Sequence, residues 1–165
     1  MKHLLVLALL SAALFLGAAE KNLLPAKFSI YGKKSANSET VIQKNGQIDC
    51  FVKNKALKGD NSAGVVYSVK FATPIQGALT FGAESKAEKV VGIAPSNYCV
   101  YLDLTFADGT RQYGQIAAFK TGTHNWEKAS KTIKLAKPVK TISYYVLFSN
   151  VEGKASFRNA FLYNK

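Results

Sequence analysis

The stretch from Tyr98 to Trp126, YCVYLDLTFADGTRQYGQIAAFKTGTHNW, decides the fold. From Tyr98 to Phe106 apolar residues occupy every second position, and this period is typical of a β-strand with one buried face. The turn dipeptide Asp108-Gly109 follows, and the alternation resumes from Gln112 to Phe119. The stretch therefore predicts a β-hairpin, then a Thr- and Gly-rich loop that leads to the only tryptophan, Trp126.

The rest of the chain has the same period. From Lys21 onward no segment of helical length carries an apolar stripe at 3.6-residue spacing. Asn45-Gly46 marks a second hairpin, between residues 40–44 and 48–53. Residues 83–97 are less regular, and their SKAEKVVG portion fits either a helical turn or an extended loop. About ten short strands separated by Gly and Pro turns indicate an all-β sandwich of two antiparallel sheets.

The N-terminus has the pattern of an export signal. Lys2-His3 precedes an apolar run, residues 4–16, that is too short for an ordinary transmembrane helix. The small residues 17–19 follow and suit a signal peptidase, so we expect a signal peptide over residues 1–19. The alternative is an uncleaved N-terminal anchor. Residues 20–165 then form a single module without a membrane span, and we expect it to be secreted, periplasmic or on the cell surface.

The chain is strongly basic, with a formal net charge of +12. Its lysines are scattered without a run of five or six like charges, which favours a solvated surface over a dedicated binding patch. Such an excess outside the cell would nevertheless attract acidic or sulfated polysaccharides and other anionic surfaces. Nucleic acid is not an expected partner of an exported protein.

The two cysteines, Cys50 and Cys99, would form a disulfide by default in an oxidising compartment. Strand alternation argues against it, because Cys50 shares the apolar face of its strand while Cys99 lies on the face opposite Tyr98 and Val100. We therefore expect two free thiols, unless a β-bulge reverses one of these orientations.

Catalytic groups are scarce. His124 is the only histidine after the predicted signal peptide, and no nucleophile and orienting group can be assigned around it. The carboxylates are poor candidates for glycoside hydrolysis, because Asp108 belongs to a turn and Asp103 lies on an outward strand position. We find no metal-ligand spacing and no cofactor motif. The sequence therefore predicts a protein that is not an enzyme and has neither a metal nor a cofactor.

The second half of the chain resembles a known family, the galactose-binding-like jelly-roll sandwiches found as carbohydrate-binding modules beside bacterial glycoside hydrolases. The matching segments are SKAE at 85–88, YLDLTFADGT at 101–110, YGQ at 113–115, AFKTGTHNW at 118–126, KPVKTISYYVLF at 137–148 and G-x-A-x-F at 153–157. The resemblance covers residues 74–162. It implies a jelly-roll sandwich and a polysaccharide or cell-surface glycan as partner.

The resemblance also implies a structural calcium site, from which this sequence departs. Related modules often hold the ion with an acidic residue after an early phenylalanine and another after a late one. Here Ser29 follows Phe28, and Arg158 and Asn159 follow Phe157. A guanidinium repels Ca²⁺, so we expect no calcium.

A sugar site combines an aromatic ring with nearby hydrogen-bonding groups. Tyr101 and Asp103 share the outward side of their strand, and Arg111 and Tyr113 follow the turn beside them. The alternative is that these four are ordinary cross-strand neighbours. If sugar binding has been lost, the same scaffold would serve as a structural or adhesive surface protein.

Further along the chain, the loop residues His124 and Asn125 complete the candidate ligand site. Trp126, which opens the next strand, is expected in the core. Tyr144 and Tyr145 point to opposite sides of their strand, and Tyr145 is expected outside. In the last strand the alternation places five residues on one face: Ala155, Phe157, Asn159, Phe161 and Tyr163.

Overall fold

The structure is a computed structural model that describes residues 20–92 and 95–165; the predicted signal peptide lies outside these residues. The strands are β1 Ser29–Ile30, β2 Ser38–Ile42, β3 Ile48–Val52, β4 Ser62–Ile75, β5 Ala78–Val91, β6 Tyr98–Phe106, β7 Arg111–Ala118, β8 Gly122–Lys134, β9 Val139–Ser149 and β10 Glu152–Asn164. A short 3-10 turn, Pro95–Asn97, precedes β6. Over the described residues, no helix is long and apolar enough to cross a membrane.

The strands form two antiparallel sheets of five. Sheet 1 has the order β1-β4-β9-β6-β7, and sheet 2 has the order β2-β3-β10-β5-β8. The chain crosses between the sheets repeatedly, so that most strands pair with neighbours distant in sequence. The prediction of an all-β jelly-roll sandwich of two antiparallel sheets is confirmed.

The core lies between the sheets and is built by the period of two. In β6 the inward residues from Tyr98 to Phe106 are almost completely buried, and β9 buries Ile142, Tyr144, Val146 and Phe148 completely. The Tyr144 hydroxyl donates to the Gly82 carbonyl oxygen at 2.6 Å, so its polar atom is satisfied inside the core.

Both predicted hairpins form where the turn dipeptides lie. Gly46 and Gly109 adopt φ angles of +81° and +84°, the left-handed region that favours glycine. At the second turn the Gly109 N–H donates to the Phe106 carbonyl oxygen, and the Asp108 carboxylate accepts the Thr110 N–H at 3.0 Å. Local sequence thus sets these two connections.

The irregular segment around residues 83–97 is largely strand. The SKAEKVV residues belong to β5, which continues to Val91. Ala87 pairs with Ala155 of β10 on one side and with His124 of β8 on the other. The segment is therefore neither a helical turn nor an extended loop but a strand, because pairing on both edges stabilises it. The strand β4 runs through Pro74 and ends at Ile75.

The prediction that one face of the last strand carries five residues in alternation is wrong. The register of β10 against β5 shifts between Arg158 and Phe161, and Asn159 has a φ of +51°. This bulge reverses the alternation, since an added residue turns every later side chain to the other face. Phe157 and Leu162 are consequently buried in the core, while Tyr163 lies on the outer side.

The two cysteines are buried free thiols, as strand alternation predicts. Cys50 lies in the core, whereas Cys99 is on the outer side of sheet 1, beneath the Pro95–Asn97 turn. Its thiol donates to the Ser96 carbonyl oxygen at 3.3 Å. Burial raises the pKa of Cys99 to about 12 and the pKa of Cys50 still further.

Candidate functional site

The outer side of sheet 1 carries a cluster of tyrosines, which we name the tyrosine face. Tyr101 of β6 pairs directly with Tyr145 of β9. Their sequence neighbours Leu102 and Tyr144 fill inward positions, so both tyrosines point outward. Tyr31, just after β1, joins them because its N–H donates to the Gly64 carbonyl oxygen at 2.9 Å.

The three rings line one groove. The Tyr145 ring centroid lies 5.7 Å from that of Tyr31 and 5.8 Å from that of Tyr101, both in edge-on arrangements. Together with Asp103 and Leu147, the three tyrosines line an open groove of about 240 Å³. None of the cation–ring contacts among the described residues involves these tyrosines. The groove therefore offers apolar ring surface beside hydrogen-bonding groups.

Asp103 supplies the negative charge of the groove. Its carboxylate accepts the Gly114 N–H at 3.4 Å. Burial, followed by the nearby charge of Asp103, raises the pKa of Tyr101. The Tyr101 hydroxyl is therefore protonated at neutral pH and can donate to a ligand, while Asp103 can accept.

The other two residues predicted on this side, Arg111 and Tyr113, lie on β7 next to the groove without lining it. The Arg111 guanidinium donates to the Tyr113 hydroxyl at 3.3 Å. Tyr113 is 58% exposed. Of the four residues predicted on these strands, the structure places Tyr101 and Asp103 in the groove.

His124 and Asn125 lie elsewhere. They belong to β8 in sheet 2 rather than to a loop, so the structure does not bring them to the tyrosine face. His124 Nε2 lies 3.1 Å from the Lys120 carbonyl oxygen and 3.7 Å from the Glu127 carboxylate. These contacts hold the β7–β8 connection against the sandwich. The Asn125 side chain accepts the Trp126 N–H at 2.9 Å.

The expectation that Trp126 is buried in the core is wrong. It is half-buried on the outer side of sheet 2, which we name the tryptophan face. The Arg158 guanidinium lies 4.0 Å from the centre of the Trp126 ring, and Arg158 Nε donates to the Glu84 carboxylate at 2.7 Å. Likewise, Lys128 Nζ lies 4.7 Å from the centre of the Phe161 ring. Cationic side chains therefore cover aromatic rings on this face.

Sequence reasoning missed two groove residues, Tyr31 and Leu147, and placed Tyr145 outside without assigning it to the site. Alternation along β9 indicates that Leu147 points outward with Tyr145, so that signal was present. For Tyr31 no local signal exists, because its place depends on the pairing of β1 with β4.

The calcium site implied by the resemblance does not fit the residues present. Arg158 carries a positive charge there and is engaged by Glu84 and Trp126. The neighbouring Asn22 side chain accepts the Leu162 N–H at 3.0 Å and donates to the Ala160 carbonyl oxygen at 2.9 Å. Elsewhere in residues 20–92 and 95–165, no group of three or more His, Cys, Asp or Glu side chains could hold a metal.

No protein-family profile matches the chain, and no curated protein matches it in sequence. Solved structures do match. The enzymatically active domain of bacteriophage CBA120 tailspike protein 4 aligns with a TM-score of 0.52 and 11% identity, over 82% of this chain and 19% of its own length. This chain therefore spans about a fifth of that tailspike domain.

Two further matches extend over most of both chains. The CBM22-1 xylan-binding domain of Paenibacillus barcinonensis Xyn10C aligns with a TM-score of 0.51 and 12% identity, over 82% of this chain and 85% of its own. The second N-terminal cellulose-binding domain of Cellulomonas fimi β-1,4-glucanase C aligns with a TM-score of 0.51 and 18% identity, over 89% of this chain and 96% of its own. The chain thus has the jelly-roll sandwich fold of these carbohydrate-binding modules, as the sequence resemblance predicts.

Proposed function

We propose that this protein is an exported, non-catalytic polysaccharide-binding module and that the groove of the tyrosine face is its ligand site. One observation carries the proposal: Tyr31, Tyr101 and Tyr145 line an open groove together with Asp103. A sugar presents an apolar C–H surface that packs on aromatic rings, and hydroxyls that exchange hydrogen bonds with phenol and carboxylate groups.

The solved structures support this interpretation. The Paenibacillus barcinonensis domain is described as xylan-binding and the Cellulomonas fimi domain as cellulose-binding. Both share the fold over most of their length. A fold alone does not carry a function, so the proposal depends on the tyrosine groove of this chain.

Binding without hydrolysis follows from the groove's composition. Glycoside hydrolysis generally requires two carboxyl groups about 5 to 9.5 Å apart, on either side of the scissile bond. Asp103 is the single carboxylate among the residues that line the groove. The groove can therefore hold a sugar but lacks the second carboxyl group.

Export and ligand class follow from the sequence. The N-terminal pattern of residues 1–19 supports export of the module to the periplasm, the cell surface or the medium. There the net charge of residues 20–165, about +11 without Lys2, favours acidic polysaccharides over neutral ones through long-range attraction.

Affinity electrophoresis in gels that contain arabinoxylan, hydroxyethylcellulose or polygalacturonate tests the proposal. We expect at least one polysaccharide to retard the wild type and the Tyr101→Ala variant to lose that retardation. Tyr113→Ala is the matched control, because it removes an exposed tyrosine outside the groove. Equal retardation of the wild type and Tyr101→Ala would contradict the site. No retardation in any gel would favour a structural or adhesive surface protein.

A further inference from the structure

Five lysines that are separated in sequence come together in two neighbouring loops, residues 32–37 and 53–61. They are Lys33, Lys34, Lys53, Lys55 and Lys58, all exposed. Within the described part of the chain, Lys34 is the member of this set that forms an ion pair, with Glu39. The other four charges have no carboxylate partner among these residues. We name this set the lysine loops.

Buried amide side chains join the two loops. Asn37 and Asn61 are only 5% and 4% exposed. The Asn37 side chain donates to the Asn54 carbonyl oxygen at 3.0 Å and accepts the Asn54 N–H at 2.9 Å. The Asn61 side chain donates to the carbonyl oxygen of Lys55 at 2.7 Å. The lysine backbones are therefore held in place before any ligand arrives, which lowers the entropic cost of binding.

The lysine loops adjoin the open end of the tyrosine groove. Tyr31 lines the groove, and the next residue, Gly32, begins the first lysine loop. Gly32 lies against the Ser62 carbonyl oxygen, where a larger side chain would collide, so this loop packs against the start of β4. At the same end, Leu147 pairs with Gly64, two residues from the start of β4. The loop of residues 53–61 therefore ends two residues along β4 from the position that pairs with Leu147.

We propose that the lysine loops form an anion-binding extension of the groove, which selects polysaccharides that carry carboxylate or sulfate groups. The inference rests on the proposed function. Asp103 pairs with Ser143, four residues along β9 from Leu147, so it lies at the end of the groove away from the loops, where it repels acidic substituents and accepts hydroxyls. The acidic groups of a bound polymer consequently face the lysines, and the sugar rings pack on Tyr31 and Tyr145.

The test measures the affinity for polygalacturonate and for chondroitin sulfate at about 20 and about 200 mM NaCl. The variant Lys33→Gln/Lys53→Gln/Lys55→Gln/Lys58→Gln removes the four lysines of the loops that lack ion pairs. The matched control, Lys70→Gln/Lys131→Gln/Lys134→Gln/Lys140→Gln, removes four exposed lysines outside these loops, none of which is in an ion pair among the described residues. Each variant loses four positive charges. A difference in affinity between them therefore reports a local binding site, whereas equal affinities report only the attraction of the net charge.

We expect the loop variant to bind at least one of the two polymers about tenfold more weakly at low salt, with a shallower dependence on salt. The control should stay within about threefold of the wild type. Equal losses in both variants, or no loss in either, would overturn the inference. So would wild-type binding to phosphatidylglycerol vesicles that depends on the same lysines but survives Tyr145→Ala.

The two proposals fail in different ways. If Tyr145→Ala abolishes polygalacturonate binding while the loop variant binds normally, the groove is the site and the lysine extension is wrong. If Tyr145→Ala binds as well as the wild type, the groove itself is not the site and the proposed function fails first.

Discussion

The two outer faces of the sandwich both carry aromatic side chains, but they differ in what lies over the rings. On the tyrosine face, Tyr145 contacts other tyrosines edge-on and the rings line an open groove. On the tryptophan face, Arg158 covers Trp126 and Lys128 covers Phe161. Ring surface covered by a cationic side chain is not free to pack against a sugar, so the same residue types serve different purposes on the two faces.

The charged groups that line the grooves of the two faces differ less than the rings do. The tryptophan face has its own groove, of about 330 Å³. Lys154 and Glu88 line it and form an ion pair, with Lys154 Nζ 3.6 Å from the Glu88 carboxylate. Lys86 and Asp49 also line this groove, and neither is in an ion pair among the described residues. In the tyrosine groove Asp103 has no cationic partner among the described residues. The two grooves therefore differ mainly in their rings, since three tyrosines line the groove of the tyrosine face while Phe51 is the aromatic residue that lines the other.

The largest expected effect is on ligand binding at the tyrosine face. Tyr145→Ala should weaken polysaccharide binding about a hundredfold, because it removes the central ring of the groove. Tyr145→Phe should stay within a few fold, since the ring remains. Isothermal titration calorimetry with the best ligand from the gels measures both. Full binding by Tyr145→Ala would show that the comparison of the faces points to the wrong side.

On the tryptophan face the expected effect is on stability. Trp126→Ala should lower the free energy of unfolding by about 1 to 2 kcal/mol, because a half-buried ring and its contact with Arg158 are lost. Urea denaturation measures this loss, and polysaccharide binding should be unchanged. Lost binding with intact stability would reverse the assignment of the two faces.

A smaller effect concerns the ion pair beside Trp126. The hydrogen bond from Arg158 holds the pKa of Glu84 below its usual range. A lowered folded-state pKa contributes stability that is present above the unfolded pKa, near 4.3, and is lost as the pH falls below it. In thermal melts at pH 7 and pH 3, Glu84→Gln should lose less stability on acidification than the wild type. The difference should stay below about 1 kcal/mol, as is usual for an exposed pair.

Removal of metal ions is expected to have no effect on thermal stability. EDTA should leave the melting temperature unchanged, because Arg158 occupies the region where related modules place an acidic calcium ligand. Differential scanning fluorimetry with and without EDTA and added CaCl₂ measures it. A shift of several degrees would mean that a metal stabilises this edge of the tryptophan face.

Much of the fold could be predicted from local sequence. Alternation in β6 and β9 correctly separated inward from outward residues, including the neighbours Tyr144 and Tyr145. The turn dipeptides located both hairpins. These predictions succeed because a strand's side chains alternate whatever it pairs with, and because glycine is required where φ is positive.

The candidate site could be predicted only in part. Tyr101 and Asp103 lie two residues apart on one strand, so their shared orientation is a local property. Tyr31 and Tyr145 meet only because β4 pairs with both β1 and β9. The sequence predicts that His124 and Asn125 lie in a loop of the candidate site, but their strand, β8, pairs with β5 in the other sheet.

The sequence by itself determined the fold class of the protein: an all-β chain with alternating strands and a strongly basic composition. Only the tertiary structure decided which tyrosines line one groove on the outer side of sheet 1. The bulge at Asn159 turned Phe161 outward, and loop packing through Asn37 and Asn61 gathered lysines that are scattered in the sequence. Strand pairing and loop packing depend on contacts between residues far apart in the chain, which local patterns do not encode.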